Sequence, residues 1–431
     1  MRRGATDAVM VSRGDAETRR VHPEWRGFFR AKCSTFHVPW PKAKLGEVAI
    51  EFIDGDRGKN YPKQHDFSSK GHCLFLNAEN VTSEGFKFDA LKFISEEKDH
   101  SLRKGKVSRG DVILTTRGTV GNVAIYDEDV PFANVRINSG MVILRCDNRE
   151  VLPSYLYFCL RTQDFLSQVN GFKSGVAQPQ LPIKDLKQIE IPIPPLPVQR
   201  RIADILSAYD DLIKNNRRRI AILEETARLA YRKCFGEVMG RSVTLGEVCQ
   251  SFGGGTPKTN VPEYWNGDVT WVVPTDVTRN SCLVLHDTER KITALGLEKS
   301  SAKMLPSNAI LMTSRASVGY FAIADFPVCT NQGFISIVPN DAAWRWYLLF
   351  NLMSRVEEIR GNAKGSTFPE ISRARFRSMD IAVPAEESLE AFNDIVTPLM
   401  QHVRTLSRQS AALATARDML LPRLMKGEVY L

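Results

Sequence analysis

No apolar run in this 431-residue chain approaches the roughly 18 residues that span a bilayer, and the N-terminus carries no signal-peptide core. That excludes a helical membrane protein and points to the cytoplasm. The eight cysteines (33, 73, 146, 159, 234, 249, 282 and 329) form no CxxC pair and no Cys/His cluster at metal-ligand spacing, so they read as reduced thiols. His65 and His72 are too isolated to suggest a metal site. A GxxxxGK[ST] phosphate loop is missing; Gly253 to Thr259 has the glycines, but its Lys-Thr sits at the wrong spacing. An Asn/Asp-Pro-Pro-aromatic tetrapeptide, which would hold a flipped base, is missing too, as is a carboxylate–carboxylate–lysine nuclease cluster. The expectation is a chain with no catalytic residue, no metal and no cofactor of its own.

What is present is positive charge: 58 Lys and Arg against 49 Asp and Glu, net +9, with a sequence pI near 9.1. Such a balance suits a partner carrying phosphates, because each cation near a phosphate releases condensed counterions. Many basic proteins never meet nucleic acid, so charge is weak support by itself. At 43% hydrophobic and 25% charged the composition is globular, and the length allows two to four domains. Residues 1–44 are Arg-rich and irregular and read as a flexible leader, or more sharply as a nucleic-acid arm.

The informative feature is self-similarity at a period of about 190–200 residues. Leu45-Gly46-Glu47-Val48 recurs as Leu245-Gly246-Glu247-Val248. Asp111-Val-Ile-Leu-Thr-Thr-Arg-Gly-Thr-Val-Gly121 recurs as Ala309-Ile-Leu-Met-Thr-Ser-Arg-Ala-Ser-Val-Gly319. Ile137 to Leu144 recurs as Thr330 to Ile337, and Ile189 to Pro194 as Met379 to Pro384. Four matches in one order mark a duplicated domain. Within each copy, short β-branched runs such as Val112–Thr116, Met141–Arg145, Ile310–Thr313 and Phe334–Val338 predict strands, with helices over Pro153–Val169 and Ala343–Arg360.

Each copy ends in a long helical pattern. Leu206, Tyr209, Ile213, Asn216, Ile220, Leu223, Ala227, Ala230 and Cys234 follow alternating steps of three and four. Leu389, Phe392, Val396, Leu399, Val403, Leu406, Ser410, Leu413, Arg417, Leu420 and Leu424 do the same. Such seams belong to helices that coil around each other, although an amphipathic helix on a globular core would share the spacing. Asn216, Ser410 and Arg417 interrupt the seams, and Pro398 should bend the second helix or mark its start. The first helix leaves domain one and the second leaves domain two, so paired seams must run antiparallel. The expected fold is α+β: similar β-rich mixed domains at 45–195 and 238–385, and spacer helices at 196–237 and 386–431 forming a pseudo-two-fold coiled coil. Such a chain fits a split, asymmetric DNA site, with half-sites on the order of one helical turn apart, about 34–36 Å.

Here the sequence resembles the specificity subunits of type I restriction–modification systems, over nearly everything after residue 44. The stretch Ile191-Pro-Ile-Pro-Pro-Leu-Pro-Val-Gln-Arg-Arg-Ile-Ala-Asp-Ile-Leu206 looks like the family's central spacer. Gly255-Thr-Pro-Lys258 with Pro262 to Gly267, and Thr313 to Gly319 with Thr330 to Gly333, are similar to its target-recognition domains. Leu420 to Glu428 resembles its closing sequence. The resemblance implies a non-catalytic DNA reader holding two modification subunits, which methylate adenine with S-adenosylmethionine, and joined by restriction subunits, the translocase–nucleases that use ATP and Mg. The departures are the leader and the acidic Glu386-Glu387 where the first spacer has Val198 to Arg201.

Phosphate contacts position a DNA reader and base-edge contacts specify the sequence, so loop residues that are basic or polar are the candidates. In domain one these are Arg57, Lys59, Asn60, Lys63, Arg117, Thr119, Arg136, Asn138, Lys173 and Ser174. In domain two they are Thr256, Lys258, Thr259, Arg315, Ser317, Asn331, Gln332, Lys364 and Thr367. Structural readings compete: Arg117 and Arg315 as pins for their own loops, Asn138 and Asn331 as turn-formers. Leu206, Tyr209, Ile213, Ile220, Leu223, Val403, Leu406, Leu413 and Leu420 are candidates for the spacer or partner interface. Two other functions stay open, an assembly scaffold that has lost DNA reading and an enzyme with an unrecognised nuclease site.

Overall fold

The computed structural model describes residues 39–175, 179–236, 241–365 and 369–429. Each half is built around an antiparallel sheet whose strands come from the repeated β-branched runs. In domain one the order is Ile50–Asp54, Met141–Cys146, Val112–Thr115 and Val123–Ile125. Domain two repeats it with Cys249–Gly253, Phe334–Pro339, Ile310–Thr313 and Phe321–Ala324, and adds Val284–Leu285 parallel to the last. A smaller three-stranded sheet follows in each: Phe93–Ile94, Cys73–Leu76 and Val135–Ile137, matched by Lys291–Ile292, Trp265–Val272 and Cys329–Thr330.

A two-stranded ribbon closes each domain at its base. Lys42–Lys44 pairs antiparallel with Glu190–Pro192, and Ser242–Thr244 with Asp380–Ala382. The first pairing corrects the expected leader, whose end at residue 44 is too late. Lys42–Lys44 is a strand, and the Trp40 indole N–H donates to the Leu424 carbonyl at 3.0 Å. Two further expectations are corrected. The helix expected over Pro153–Val169 is two, Pro153–Cys159 and Gln163–Phe172, because Thr162 caps a new start by accepting from the Phe165 N–H. Its counterpart is likewise split, into Arg345–Ser354 and Val356–Gly361.

The two long helices span Leu196–Phe235 and Glu386–Met425, 40 residues each, or about 60 Å. Pro398 does not mark the start of the second, which begins at Glu386 and runs through the exposed proline. They lie antiparallel: Phe235 stacks edge-on to Phe392, Arg219 meets His402 near the middle, and Asp210 meets Arg417. One end of the pair is buried in domain one, where Ile202, Leu206, Leu421 and Leu424 join its core. The other end is buried in domain two, where Tyr231, Phe235, Phe392 and Val396 pack with Tyr347 and Phe350. Near domain two the seam turns, so that Glu224, Tyr231 and Phe235 are buried while Leu223 and Cys234 are half-buried. Ile213, Ile220, Val403 and Leu406 are buried; Tyr209, Leu413 and Leu420 are half-buried.

Midway the seam opens. Ile213, Ile220, Ser410, Ala414 and Arg417 line a cleft of about 480 Å³ that Glu84 of domain one and Thr275 to Glu289 of domain two also border. Equivalent residues tie each domain to the helix that leaves it. Lys214 reaches Asp127 at 4.0 Å and its neighbour Asp129 at 3.3 Å in domain one, and Arg404 reaches Asp325 at 2.9 Å in domain two. No helix among the described residues is long and apolar enough to cross a membrane.

Candidate nucleic-acid interface

Strand register brings four loops to one end of each main sheet. In domain one Asp54 pairs with Val142 and Thr115 with Met141, so the loops after Asp54, after Thr115 and before Met141 emerge side by side. The fourth, carrying Ser174 and Gln180, joins them: Ser174 and Gln180 exchange backbone bonds, and the Leu181 N–H donates to the Thr116 carbonyl at 2.9 Å. Domain two repeats this with Lys364 and Glu370 exchanging bonds and the Ile371 N–H on the Ser314 carbonyl at 3.0 Å.

The hairpin loops have the same internal frame. Thr115 donates its hydroxyl to the Thr119 carbonyl and accepts from the Asn122 N–H; Thr313 does so with Ser317 and Tyr320. At their tips Gly118 has φ +73° and Ala316 φ +60°, the left-handed region that glycine adopts freely and alanine does not.

On this frame Arg57, Arg117 and the unforeseen Lys184 border one cleft in domain one, with Ser174 beside them. Arg57 is exposed, pairs with Asp54 at 3.1 Å, and donates to the Ser139 carbonyl. Arg117 and Thr119 are exposed at the hairpin tip, and Lys173 donates to Asn170 at 2.8 Å. Lys59 and Lys63 are exposed on the following segment, whereas Asn60 is half-buried and donates to the Ser101 carbonyl. Asn138 and Asn331 each accept the N–H two residues on, from Gly140 and Gly333, and are turn-formers.

Arg136 is a correction. Its residue is 7% exposed; the guanidinium pairs with Asp99 and donates to the carbonyls of Asp99, Leu102 and Lys104. A cation so enclosed cannot meet a base edge. Burial works to raise the Asp99 pKa, but bonds from Lys106 and Arg136 outweigh it and hold the carboxyl below its usual value.

In domain two Thr256 donates to Gln332 at 2.5 Å, and Lys258 and Thr259 are exposed. Arg315 and Ser317 are exposed at the hairpin tip, with Arg315 3.6 Å from Glu370. Lys364 is exposed, and Thr367 lies outside the described residues. Missed from sequence were Lys184, Arg103 and Lys104, all exposed at this end of domain one. None falls in a repeated motif, which was the signal that found the hairpins.

Comparison with known proteins agrees with the duplicated architecture. The chain is 21% identical to the HindI type I restriction enzyme specificity subunit of Haemophilus influenzae, covering 88% of this chain and 99% of that one. It is 34% identical over 171 residues to the MjaIX specificity subunit of Methanocaldococcus jannaschii, a match spanning 39% of each protein. Among solved structures, a type I restriction-modification S subunit from M. genitalium superposes with a TM-score of 0.56 at 16% identity, covering 91% of this chain and 98% of that one. That likeness is one of fold. The family model for the type I restriction modification DNA specificity domain matches twice, over residues 37–225 and 241–412, and the chain therefore belongs to that family.

Proposed function

We infer that this chain is the non-catalytic subunit that reads a bipartite, asymmetric DNA site and docks modification subunits. One observation carries the reading: the same four-loop edge, differently furnished, occurs in two domains held at opposite ends of one antiparallel helix pair. Diverged readers at a fixed separation suit two unlike half-sites. Docking is supported by large apolar side chains standing in solvent on the helices, among them Leu212, Ile222, Leu229 and Met419. On this reading two modification subunits bring S-adenosylmethionine and methylate adenine, restriction subunits bring ATP and Mg, and the complex works in the cytoplasm on double-stranded DNA. This chain contributes positions and contacts, not a reacting group.

The test is co-expression with the modification subunits, followed by long-read sequencing of the host DNA. A methylated-adenine motif in two unlike parts, moved by exchanging either domain, is the expected result. Assembly of the complex without any sequence-preferring methylation or duplex binding would favour a scaffold that no longer reads DNA. Metal-dependent cleavage by the chain alone would replace both with a nuclease.

A further inference from the structure

Domain one carries ionic machinery at its loop edge that domain two lacks. The Asp56 residue is 5% exposed; its carboxylate accepts the Gly58 N–H at 2.6 Å and the Arg103 N–H at 2.7 Å. Burial works against this charge, yet those backbone bonds hold the carboxyl below its usual pKa. From beneath, Arg136 clamps the same loop through the carbonyls of Leu102 and Lys104. From the side, Asn60 holds Ser101. Two buried charges and a side-chain amide thus fix a surface loop whose outward side chains, Arg103 and Lys104, are both cations. With Arg57 they border an open cleft of about 300 Å³.

The repeat shows what stands at these places in domain two. The adjoining glycines Gly55 and Gly254 are equivalent, each pressed on the backbone of the matching asparagine, Asn138 or Asn331. Counting on from them, Asp56 becomes Gly255 and Arg57 becomes Thr256. Val107 and Leu305 are equivalent, each bonded to the strand residue Val135 or Val328. Counting back, Arg103 becomes Ser301 and Lys104 becomes Ala302. Arg136, two residues before Asn138, becomes the buried Cys329. In domain two the space is closed: a Cβ on Gly255 would lie 2.3 Å from the Ser301 hydroxyl. Lys303, the next residue of that loop, lies over the Phe252 ring.

We propose that the Arg57–Arg103–Lys104 cleft is a phosphate seat for the DNA backbone, present in domain one and absent from domain two. It rests on the DNA-reading function above. The two domains then grip their half-sites unequally: domain one holds phosphates through a preordered cationic loop, and domain two relies on its hairpin and the Lys364 loop. A phosphodiester fits because it is a single anion with several acceptor oxygens, which suits convergent guanidinium and ammonium donors.

The experiment compares the full-length chain with R103A/K104A on a duplex of mixed sequence across a salt series. Both residues are exposed, so the variant should melt as the wild type does. Losing one or two phosphate contacts should make the slope of log K against log salt shallower by about 1–2, with any sequence preference kept. Titration with inorganic phosphate alone should give no saturable binding; tight binding would make the cleft a site for the free anion and overturn the DNA assignment. Unchanged slope and affinity in R103A/K104A, with wild-type binding intact, would overturn the seat and leave DNA reading standing. Absence of duplex binding by the wild type at low salt would remove both.

Discussion

Arg417, in the last third of the C-terminal helix, forms an ion pair with Asp210 in the first half of the central helix, 207 residues earlier in the chain. Arg161 of domain one lies 2.9 Å from the same carboxylate. One mostly buried aspartate therefore joins both helices and a recognition domain at the rim of the central cleft. Asp210→Ala removes the counter-charge that the two guanidiniums share, leaving Arg417 only the exposed Asp418, and should cost about 3 kcal/mol. Arg417→Ala leaves the Arg161 pair in place and should cost about 1 kcal/mol. Thermal unfolding ranks them; equal losses would mean that the carboxylate does not serve both cations.

Arg136→Ala should behave as a core mutation. Its removal leaves Asp99, which is 2% exposed, with Lys106 as its bonded cation and takes the guanidinium from three carbonyls, so a loss of about 3 kcal/mol in domain one is expected. Arg117→Ala, at the exposed hairpin tip, should leave melting unchanged and weaken duplex binding. Calorimetry and a binding isotherm on both variants separate the roles.

Glu224, on the central helix, is pushed above the ordinary carboxylate pKa by burial, with the Leu283 N–H at 2.6 Å and Arg228 opposing. A carboxyl whose folded pKa is raised favours the fold below its unfolded pKa, and that contribution is lost as pH rises through the folded value. At neutral pH the charge is held at a cost. Glu224→Gln keeps an acceptor for Leu283 without the charge, so it should raise the melting temperature at pH 7, with the gain vanishing toward pH 4. A gain that persists at pH 4 would have another origin.

Lys364→Ala should weaken binding on every duplex alike and flatten the salt slope by about 1. The backbone bonds between Lys364 and Glu370 do not use the side chain and should survive. A change confined to one sequence would instead make Lys364 a base reader.

Much of this architecture was legible because it repeats. A duplicated hairpin such as Thr115–Gly121 and Thr313–Gly319 carries its own turn chemistry, and a helix seam reports its burial locally through spacing. Partners distant in sequence are a different matter. Arg136 reads as a loop cation until Asp99, 37 residues away, encloses it. Lys42–Lys44 has no strand character of its own and becomes a strand by pairing with residues 190–192. Arg103 and Lys104 lie in a stretch where the two copies have diverged, so no recurrence pointed to them.

The ribbons at the base of the domains have one more consequence. Lys44 sits opposite Glu190, and Thr244 opposite Asp380, so the chain enters and leaves each domain at neighbouring points. Each domain is thus a blossom on a two-stranded stem, and the helices meet it through that stem and through the apolar face against which they pack. A different domain, longer or shorter, that keeps this helix-facing surface could be spliced between such paired strands without altering the length or register of the rod that sets the distance between the two readers.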